Sequence, residues 1–314
     1  MTNARFKISI IGAGGLGTPA AWKLATQWPT SSQLELEIYD PDNIELSNLN
    51  RQVLFSHQDL AKPKAKKLTE NLAQLLPIAN NIKLTSHQLR IDQNNIEERL
   101  GKSDFVIEAT DSTSNKFLVN DFCLKNAISL CYCGVVGTSG LLFPVIPKLE
   151  PTSACLRCLF ENFGNSDYEL QTTTCQQAGI FGPVAGLFGF LQAQCAMDWL
   201  LNPEPQATPM LSRFSFDTLT IHQTKVSASP DCPNHCLARN NPVLNLTDKK
   251  CPETFLYAKL AMERIATDKT LVILFGNEES NNNVSKSLRD CGYRVIESDI
   301  PKNGEPWKIF VNKA

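Results

Sequence analysis

Residues 6–25 read FKISIIGAGGLGTPAAWKLA, and residues 34–52 read LELEIYDPDNIELSNLNRQ. The β-rich apolar run 8–11 meets the turn Gly12-Ala13-Gly14-Gly15-Leu16-Gly17. A helical pattern follows, with Ala20, Ala21, Leu24 and Ala25 on one face. A second apolar run over 34–39 ends on Asp40. Strand, glycine turn, helix, strand and acid make the dinucleotide-binding unit. Gly12 and Gly14 let the backbone turn tightly and approach a phosphate with no Cβ in the way. The helix that opens at Gly15 and Gly17 points free N–H groups and its positive end at the anion. Asp40, at the end of the next strand, is placed to accept hydrogen bonds from ribose hydroxyls. On the glycines alone, the default reading is a nicotinamide- or flavin-dependent oxidoreductase. The residues that follow point elsewhere.

Length and composition bound the alternatives. The chain has 314 residues, enough for one large or two modest domains, and 42% of them are apolar, enough for a real core. A net charge of -2 gives no electrostatic case for nucleic acid or an anionic membrane. The opening MTNARFKIS enters a strand almost at once and reads as no signal peptide. The most apolar long stretch, 182–201, contains Gln192, Gln194 and Asp198, and reads as a buried helix rather than a membrane span. A cytoplasmic protein is expected. Eleven cysteines then call for metal or thiol chemistry, because disulfides are disfavoured in that compartment. Cys123, Cys131, Cys133, Cys195 and Cys291 sit in apolar or helical runs and read as small buried hydrophobes.

After Asp40 comes a turn at Pro41-Asp42-Asn43, then Asn48-Leu49-Asn50-Arg51-Gln52, then Asp59-Leu60-Ala61-Lys62-Pro63-Lys64-Ala65, which opens a helix to about Leu76. A dehydrogenase has no need of these. A nucleoside triphosphate does: Arg51 offers a planar fork for phosphate oxygens and Lys64 a point charge. Lys62, Lys66 and Lys67 read as a solvated basic loop. Strands are predicted over 81–88, 105–109, 130–136 and 141–146, with helices over 94–100 and 113–126. The strand at 105–109 leads into Thr110-Asp111, at the end of a parallel sheet where ligands bind. Mg²⁺ favours one or two carboxylates plus substrate phosphates, so Asp111 is the metal candidate. Its other reading is a cap on the helix that follows.

Cys155-Leu156-Arg157-Cys158 is a zinc half-site, since both thiolates of a CxxC reach one tetrahedral centre. The second half, Cys232-Pro233-Asn234-His235-Cys236, is irregular: Cys236 is the favoured fourth ligand, His235 the alternative. Four reduced thiols without metal is the plainer reading. Any zinc here is structural, because no open coordination position is indicated. The polar, turn-rich stretch 161–174 reads as a mobile loop ending at Cys175, just before the helix that opens near Gly182-Pro183. That position lowers a thiol pKa and suits a nucleophile, though on these residues alone an unreactive loop thiol is the better reading.

Taken together, these residues resemble the ThiF/MoeB family, bacterial relatives of ubiquitin-activating enzymes. The likeness is carried by GAGGLGTPAA, Asp40 with the Asn48–Gln52 block, Lys64, Ala109-Thr110-Asp111, Cys155-x-x-Cys158, Cys175-x-x-Ala178-Gly179 and the closing cysteine pair, in order over about residues 5–240. The resemblance implies a Rossmann-like doubly wound α/β sheet with a zinc-clipped C-terminal part. It implies ATP-dependent adenylation of a carboxylate, usually the C-terminal glycine of a ubiquitin-like sulfur carrier protein. Asp40 would then bind ribose, Asn48, Arg51 and Lys64 the phosphates, and Asp111 Mg²⁺. Cys155, Cys158, Cys232 and Cys236 would hold zinc, and Cys175 would occupy the loop position that in some members bonds covalently to the carrier. The chemistry agrees, since a carboxylate is already ionised at neutral pH and needs no general base. It needs positioning and charge neutralisation at the α-phosphate. Members usually carry an N-terminal helical arm whose arginine completes the ATP site of the dimer mate. Here Arg5 is the only early arginine, close to the first strand. A homodimer is nonetheless the expected assembly.

Beyond the Asn241-Pro242 linker, the pattern over 243–314 reads β-α-β-α-β-β, a two-layer α/β unit. Pro252 suits a first helical position and puts Cys251 at a helix N-terminus, where the dipole and Lys249 and Lys250 favour thiolate. This segment resembles the TusA family of sulfur-transfer proteins, whose Cys-Pro maps to Cys251-Pro252. The family's second proline is Thr254 here, and its upstream Asp and Gly positions are Asn245 and Asp248. The resemblance implies a persulfide on Cys251, charged by a donor such as a cysteine desulfurase. The expectation is therefore two domains, 1–240 for adenylation and 243–314 for sulfur transfer, acting on a carrier protein or a small-molecule acid to leave a thiocarboxylate. The rivals are a nicotinamide-dependent oxidoreductase and a non-catalytic scaffold for a ubiquitin-like partner.

Overall fold

The computed structural model describes residues 4–77, 81–147, 154–160, 179–202, 210–229, 232, 234, 242–249, 253–265, 270–297, 301 and 305–313. By spatial grouping the chain forms two compact units. One comprises Met1–Lys148 and Asn162–Val226, the other Leu149–Glu161 and Ser227–Ala314.

The first unit is built on an eight-stranded sheet. Its strands are β1 (Arg5–Ile11), β2 (Gln33–Tyr39), β3 (Ile82–His87), β4 (Phe105–Glu108), β5 (Ser129–Val136), β6 (Ser139–Val145), β7 (Met210–Ser215) and β8 (Thr220–Lys225). The order is β3-β2-β1-β4-β5-β6-β7-β8. Strands β1 to β5 are parallel, and β6, β7 and β8 extend the sheet antiparallel. Ile8, Ile10, Leu34, Leu36, Ile38, Phe105 and Ile107 are almost wholly buried, as near-continuous apolar runs in a sheet covered on both faces require. The covering helices are α1 (Gly17–Gln27), α2 (Lys64–Leu75), α3 (Ile96–Leu100) and α4 (Thr113–Lys125). A short helix, α5 (Leu156–Leu159), belongs to the second unit; α6 (Gly182–Leu201) returns to the first. By length and composition α6 is apolar enough to cross a membrane. One of its faces, with Val184, Ala185, Phe188, Gln192, Ala193 and Ala196, is buried inside the unit.

Several sequence expectations need adjustment. Helix α2 starts at Lys64 rather than near Asp59, which instead lies in a 3₁₀ turn over His57–Asp59. Lys67 is not a solvated loop cation: it is largely buried and paired with Asp59 at 3.4 Å. Cys123, Cys131 and Cys133 are buried as expected, but Cys291 is exposed, just past the end of a helix. The hairpin β7–β8 had no prediction at all. Its strands read MLSRFS and TIHQTK, and all six residues of β8 are exposed, so no alternation marks them.

The second unit carries a four-stranded sheet of β9 (Val243–Leu246), β10 (Thr270–Phe275), β11 (Arg294–Glu297) and β12 (Trp307–Asn312), in the order β11-β12-β10-β9. Helices α7 (Glu253–Arg264) and α8 (Glu278–Asp290) complete it. The β-α-β-α-β-β order is the one expected. Ala258, Met262, Ile273, Phe275, Val284, Leu288, Ile309 and Val311 form its core.

Candidate active site

Parallel register brings three chain segments to one edge of the large sheet. Ile11 lies opposite Tyr39 on one side and Glu108 on the other. The turns after β1, β2 and β4 therefore leave the sheet together, carrying Gly12, Asp40 and Thr110-Asp111. Gly12 adopts φ +99, and a Cβ there would sit 2.7 Å from the Ala109 carbonyl oxygen, so only glycine fits. Gly17 is equally constrained: its Cβ would fall 1.8 Å from the Gly12 carbonyl oxygen. Gly14 differs. The nearest atom to a Cβ there is Gln52 Nε2, at 3.9 Å, so its openness is not demanded by packing. Such openness beside a helix N-terminus would suit the close approach of an anion.

Two helix N-termini border the turn. Helix α1 opens from it, and α6 packs onto it: Gly189 leaves room for the Leu16 carbonyl oxygen, which a Cβ would meet at 2.2 Å. A Cβ on Gly15 would lie 3.3 Å from Ala185 Cβ and 3.4 Å from Arg51 Cδ. The stem of Arg51 thus lies along the turn. Its Nη1 donates to the Ser47 carbonyl at 2.9 Å and to Asn50 Oδ1 at 3.1 Å, which orients the guanidinium. Gln52 is 2% exposed, and its Oε1 has no partner among the described residues. A buried orphan beside Gly14 fits a bound polar ligand. Sequence reading quoted Gln52 without giving it a role.

Asp40 is buried and holds the turn itself. Its Oδ2 accepts from Ala13 N–H at 2.7 Å and its Oδ1 from Asp42 N–H at 2.8 Å. A carboxylate has about four lone-pair sites, so Asp40 can accept further hydrogen bonds. Burial pushes the Asp40 carboxyl above the usual aspartate range, against the pull of those two amides and of Lys64. Lys64 is buried to 8% exposure and its Nζ lies 3.2 Å from Asp42 Oδ2. Asn48 is buried and engaged within its own turn, where Oδ1 accepts from Glu45 N–H at 3.3 Å and Nδ2 donates to Ser47 Oγ at 3.3 Å. Asn48 therefore shapes the segment that orients Arg51. Asp111 is exposed, and it does not cap α4: Ser112 does, accepting from Asn115 N–H at 3.4 Å. Among the described residues no hydrogen bond or ion pair engages the Asp111 carboxylate, which suits a Mg²⁺ ligand. Arg5 pairs with Glu35 at 2.8 Å, at the start of β1 and so at the opposite end of the strand from the turn.

Sequence reading also missed what lies behind Asp111. Glu108, wholly buried at the end of β4, meets Lys116 Nζ at 2.5 Å. Gln192 Nε2, from α6, donates to the Glu108 carbonyl at 2.8 Å and the Cys131 carbonyl at 3.1 Å, joining β4 to β5. The available signal was a charge inside the apolar run Phe105-Val106-Ile107-Glu108, since a buried charge requires a partner.

In the second unit Cys155, Cys158 and Cys232 are buried together, with all three Sγ atoms within 4.8 Å of one another. Cys155 Sγ lies 3.9 Å from that of Cys158 and 3.5 Å from that of Cys232. A tetrahedral zinc with bonds of ~2.3 Å has S···S edges of roughly 3.8 Å, so three corners of such a site fit. Asn234 Nδ2 reaches Cys155 Sγ at 3.7 Å, a donor suited to a thiolate. Cys236 and His235, the two candidates for the fourth ligand, lie outside the described residues, as do Cys175, Cys251 and Pro252.

Comparison with known proteins agrees with this geometry. The ThiF family model matches residues 3–234, and the Sulfurtransferase TusA model matches residues 243–313. The sulfur carrier protein ThiS adenylyltransferase of Escherichia coli is 34% identical over 201 residues, covering 64% of this chain and 74% of its own. The adenylyltransferase and sulfurtransferase MOCS3 of Caenorhabditis briggsae is 30% identical over 187 residues, covering 59% of this chain and 43% of its own. Among solved structures, E. coli MccB with MccA-N7isoASN superposes with a TM-score of 0.60 at 22% identity, over 74% of this chain and 67% of that one, which shows a shared fold. The parallel sheet with its glycine turn, matched by a family model over most of the chain, places this protein in the ThiF family, with a TusA-like domain at residues 243–313.

Proposed function

We propose that this chain is an ATP-dependent adenylyltransferase for a carboxylate, and that its TusA-like domain then delivers sulfur to give a thiocarboxylate. The observation that carries the reading is the one sheet edge that holds the open Gly14, the oriented Arg51, the buried Lys64 and the unengaged Asp111. Gly14 and the N-terminus of α1 receive phosphate oxygens. Asp40 accepts from ribose. Arg51 and Lys64 neutralise the triphosphate, and Asp111 holds Mg²⁺, which when bound spreads the negative charge of the phosphates. The acceptor carboxylate attacks the α-phosphorus and pyrophosphate leaves.

Sulfur transfer follows on Cys251. The outer sulfur of its persulfide displaces AMP from the acyl-adenylate, directly or through Cys175, leaving an acyl disulfide; an external dithiol then attacks the Cys251 sulfur, releases the thiocarboxylate and, closing to its own disulfide, frees the Cys251 thiol. A persulfide donor of the cysteine desulfurase kind recharges Cys251. The acceptor is a ubiquitin-like sulfur carrier protein or a small-molecule acid; relatives named for a sulfur carrier, and one named for both activities, support the former. The divisions 1–240 and 243–314, a homodimer and a structural zinc on Cys155, Cys158, Cys232 and Cys236 complete the proposal. Tethering the donor raises its effective concentration at an intermediate that water hydrolyses.

The test is ATP–pyrophosphate exchange against candidate carriers and acids. Acceptor-dependent exchange that Lys64→Met lowers at least ten-fold is the expected result. No exchange with any acceptor, together with tight NADH binding, would return the glycine turn to an oxidoreductase. Carrier binding without exchange would leave a scaffold.

A further inference from the structure

Behind Asp111 lies a polar assembly that nucleotide binding alone does not require. Lys116, 9% exposed on α4, donates from Nζ to Glu108 Oε2 at 2.5 Å and to the Cys133 carbonyl at 3.1 Å, and sits 4.8 Å from the centre of the Tyr132 ring. The other oxygen of Glu108, Oε1, accepts from Thr110 N–H at 3.1 Å and from Thr110 Oγ1. Glu108 is thus anchored on one side by a lysine and grips on the other the residue that precedes Asp111. Gln192 pins the Glu108 carbonyl from behind. Burial by itself would push the Lys116 ammonium down, but the facing Glu108 charge outweighs it and the net direction is up. Lys116 is therefore charged at neutral pH.

Energetics argue against a purely structural reason for the pair. Two ions buried on packed elements bring little net stability over apolar residues of the same size. Their geometric effect is larger: a bonded carboxylate fixes the backbone and hydroxyl of Thr110, and with them the direction in which Asp111 leaves the sheet. Groups that orient a metal's carboxylate in this way set its affinity.

We propose that the Glu108–Lys116 pair, acting through Thr110, is the positioning element for Asp111, and that it sets how tightly the site takes Mg²⁺ with ATP. The proposal rests on the adenylation reading for the role of Asp111. Lys116, Glu108 and Thr110 are positioning residues, since none of them needs to touch the nucleotide.

The test separates metal affinity from nucleotide affinity. ATP binding to the full-length protein is measured by calorimetry across a Mg²⁺ titration, with and without EDTA, for wild type, Thr110→Val, Lys116→Arg, Lys116→Met and Asp111→Asn. Thermal melts establish folding. Thr110→Val keeps the side-chain shape and leaves the buried pair in place, so it is the variant least prone to unfold. The expected result is a rise of about ten-fold in half-saturating Mg²⁺ for Thr110→Val, with metal-free ATP affinity unchanged. Folded Lys116→Met shows a similar or larger rise, and Lys116→Arg recovers most of the wild-type value. Adding Thr110→Val to Asp111→Asn produces no further shift, because both act on one interaction. Three outcomes among the variants overturn the proposal: wild-type Mg²⁺ dependence in folded Thr110→Val, an equal loss of metal-free ATP binding, or full additivity with Asp111→Asn. Pyrophosphate exchange is scored separately. A protein that binds Mg·ATP with the expected variant pattern yet exchanges with no acceptor refutes adenylation and leaves the positioning intact. A wild type whose ATP affinity ignores Mg²⁺ refutes the positioning whatever the exchange result.

Discussion

Asp40 does two jobs with one carboxylate. It ties the glycine turn to β2 through Ala13 and Asp42, and on the proposed reading it also accepts from a ribose. Both need the ionised form, yet burial raises its pKa. Protonation therefore sets in at a higher pH than for an ordinary aspartate and removes the acceptor. ATP affinity should fall on acidification, starting above the usual aspartate range, and Asp40→Asn should flatten that limb while weakening ATP about ten-fold at neutral pH. A binding titration between pH 4 and 8 checks both; an unchanged acid limb in the variant would assign the titration to another group. Stability runs with the opposite sign. A carboxyl whose folded pKa is raised favours the fold at low pH, and that contribution is lost as pH rises through the folded value. Glu35 and Asp59, whose carboxyls are lowered by Lys83 and Arg5 and by Ser56 and Lys62, stabilise the fold above the unfolded carboxylate range and lose that contribution as pH falls.

At the scale of elements, the strand–turn–helix unit separates glycines that packing requires from one that packing leaves open. Gly17→Ala drives a methyl to 1.8 Å from a carbonyl oxygen, a clash worth about 3 kcal/mol or more. The gain in helix propensity, below ~1 kcal/mol, does not offset it. Gly14→Ala meets nothing closer than 3.9 Å and should keep its denaturation midpoint while losing ATP affinity by at least ten-fold. Urea melts and ATP titrations on the two variants should move in opposite columns: stability for Gly17, affinity for Gly14. A destabilised Gly14→Ala would mean that packing, rather than phosphate, keeps that position open. This unit was legible in the sequence because its signals are local: apolar runs, glycine spacing and an acid at the strand end all lie within residues 6–40. The pair Glu108–Lys116 and its support from Gln192, 84 positions from Glu108, were not legible, since nothing local announces which charge answers another. The β7–β8 hairpin was missed for a different reason. An edge strand exposed along its whole length needs no apolar alternation, so the period that marks strands was never written.

On the scale of the whole molecule, the proposed reading divides the chemistry between two units, and two predictions probe the division. The first concerns metal. With three cysteine Sγ atoms already at zinc-like separations, the protein should be isolated with about one zinc per chain. Chelation, or Cys155→Ser, should lower the melting temperature while leaving ATP affinity within about two-fold, because the cluster belongs to the second unit and the nucleotide residues to the first. Elemental analysis showing no zinc in protein purified under reducing conditions would leave the cluster as reduced thiols. The second concerns the order of the two half-reactions. On the proposed reading adenylation requires Arg51, Lys64 and Asp111, and sulfur delivery requires Cys251. If the TusA-like domain serves only the second step, Cys251→Ala should sustain acceptor-dependent pyrophosphate exchange at close to the wild-type rate and form no thiocarboxylate, whereas Lys64→Met should lose both. Intact mass of the acceptor reads the outcome directly: replacing one oxygen by one sulfur adds about 16 Da, and hydrolysis of a stranded adenylate returns the unmodified mass. Thiocarboxylate formed undiminished by Cys251→Ala would remove that thiol from the pathway and leave the domain a structural partner. Loss of exchange in the same variant, with the fold intact, would place Cys251 in the first half-reaction and make the two units one site rather than two in sequence.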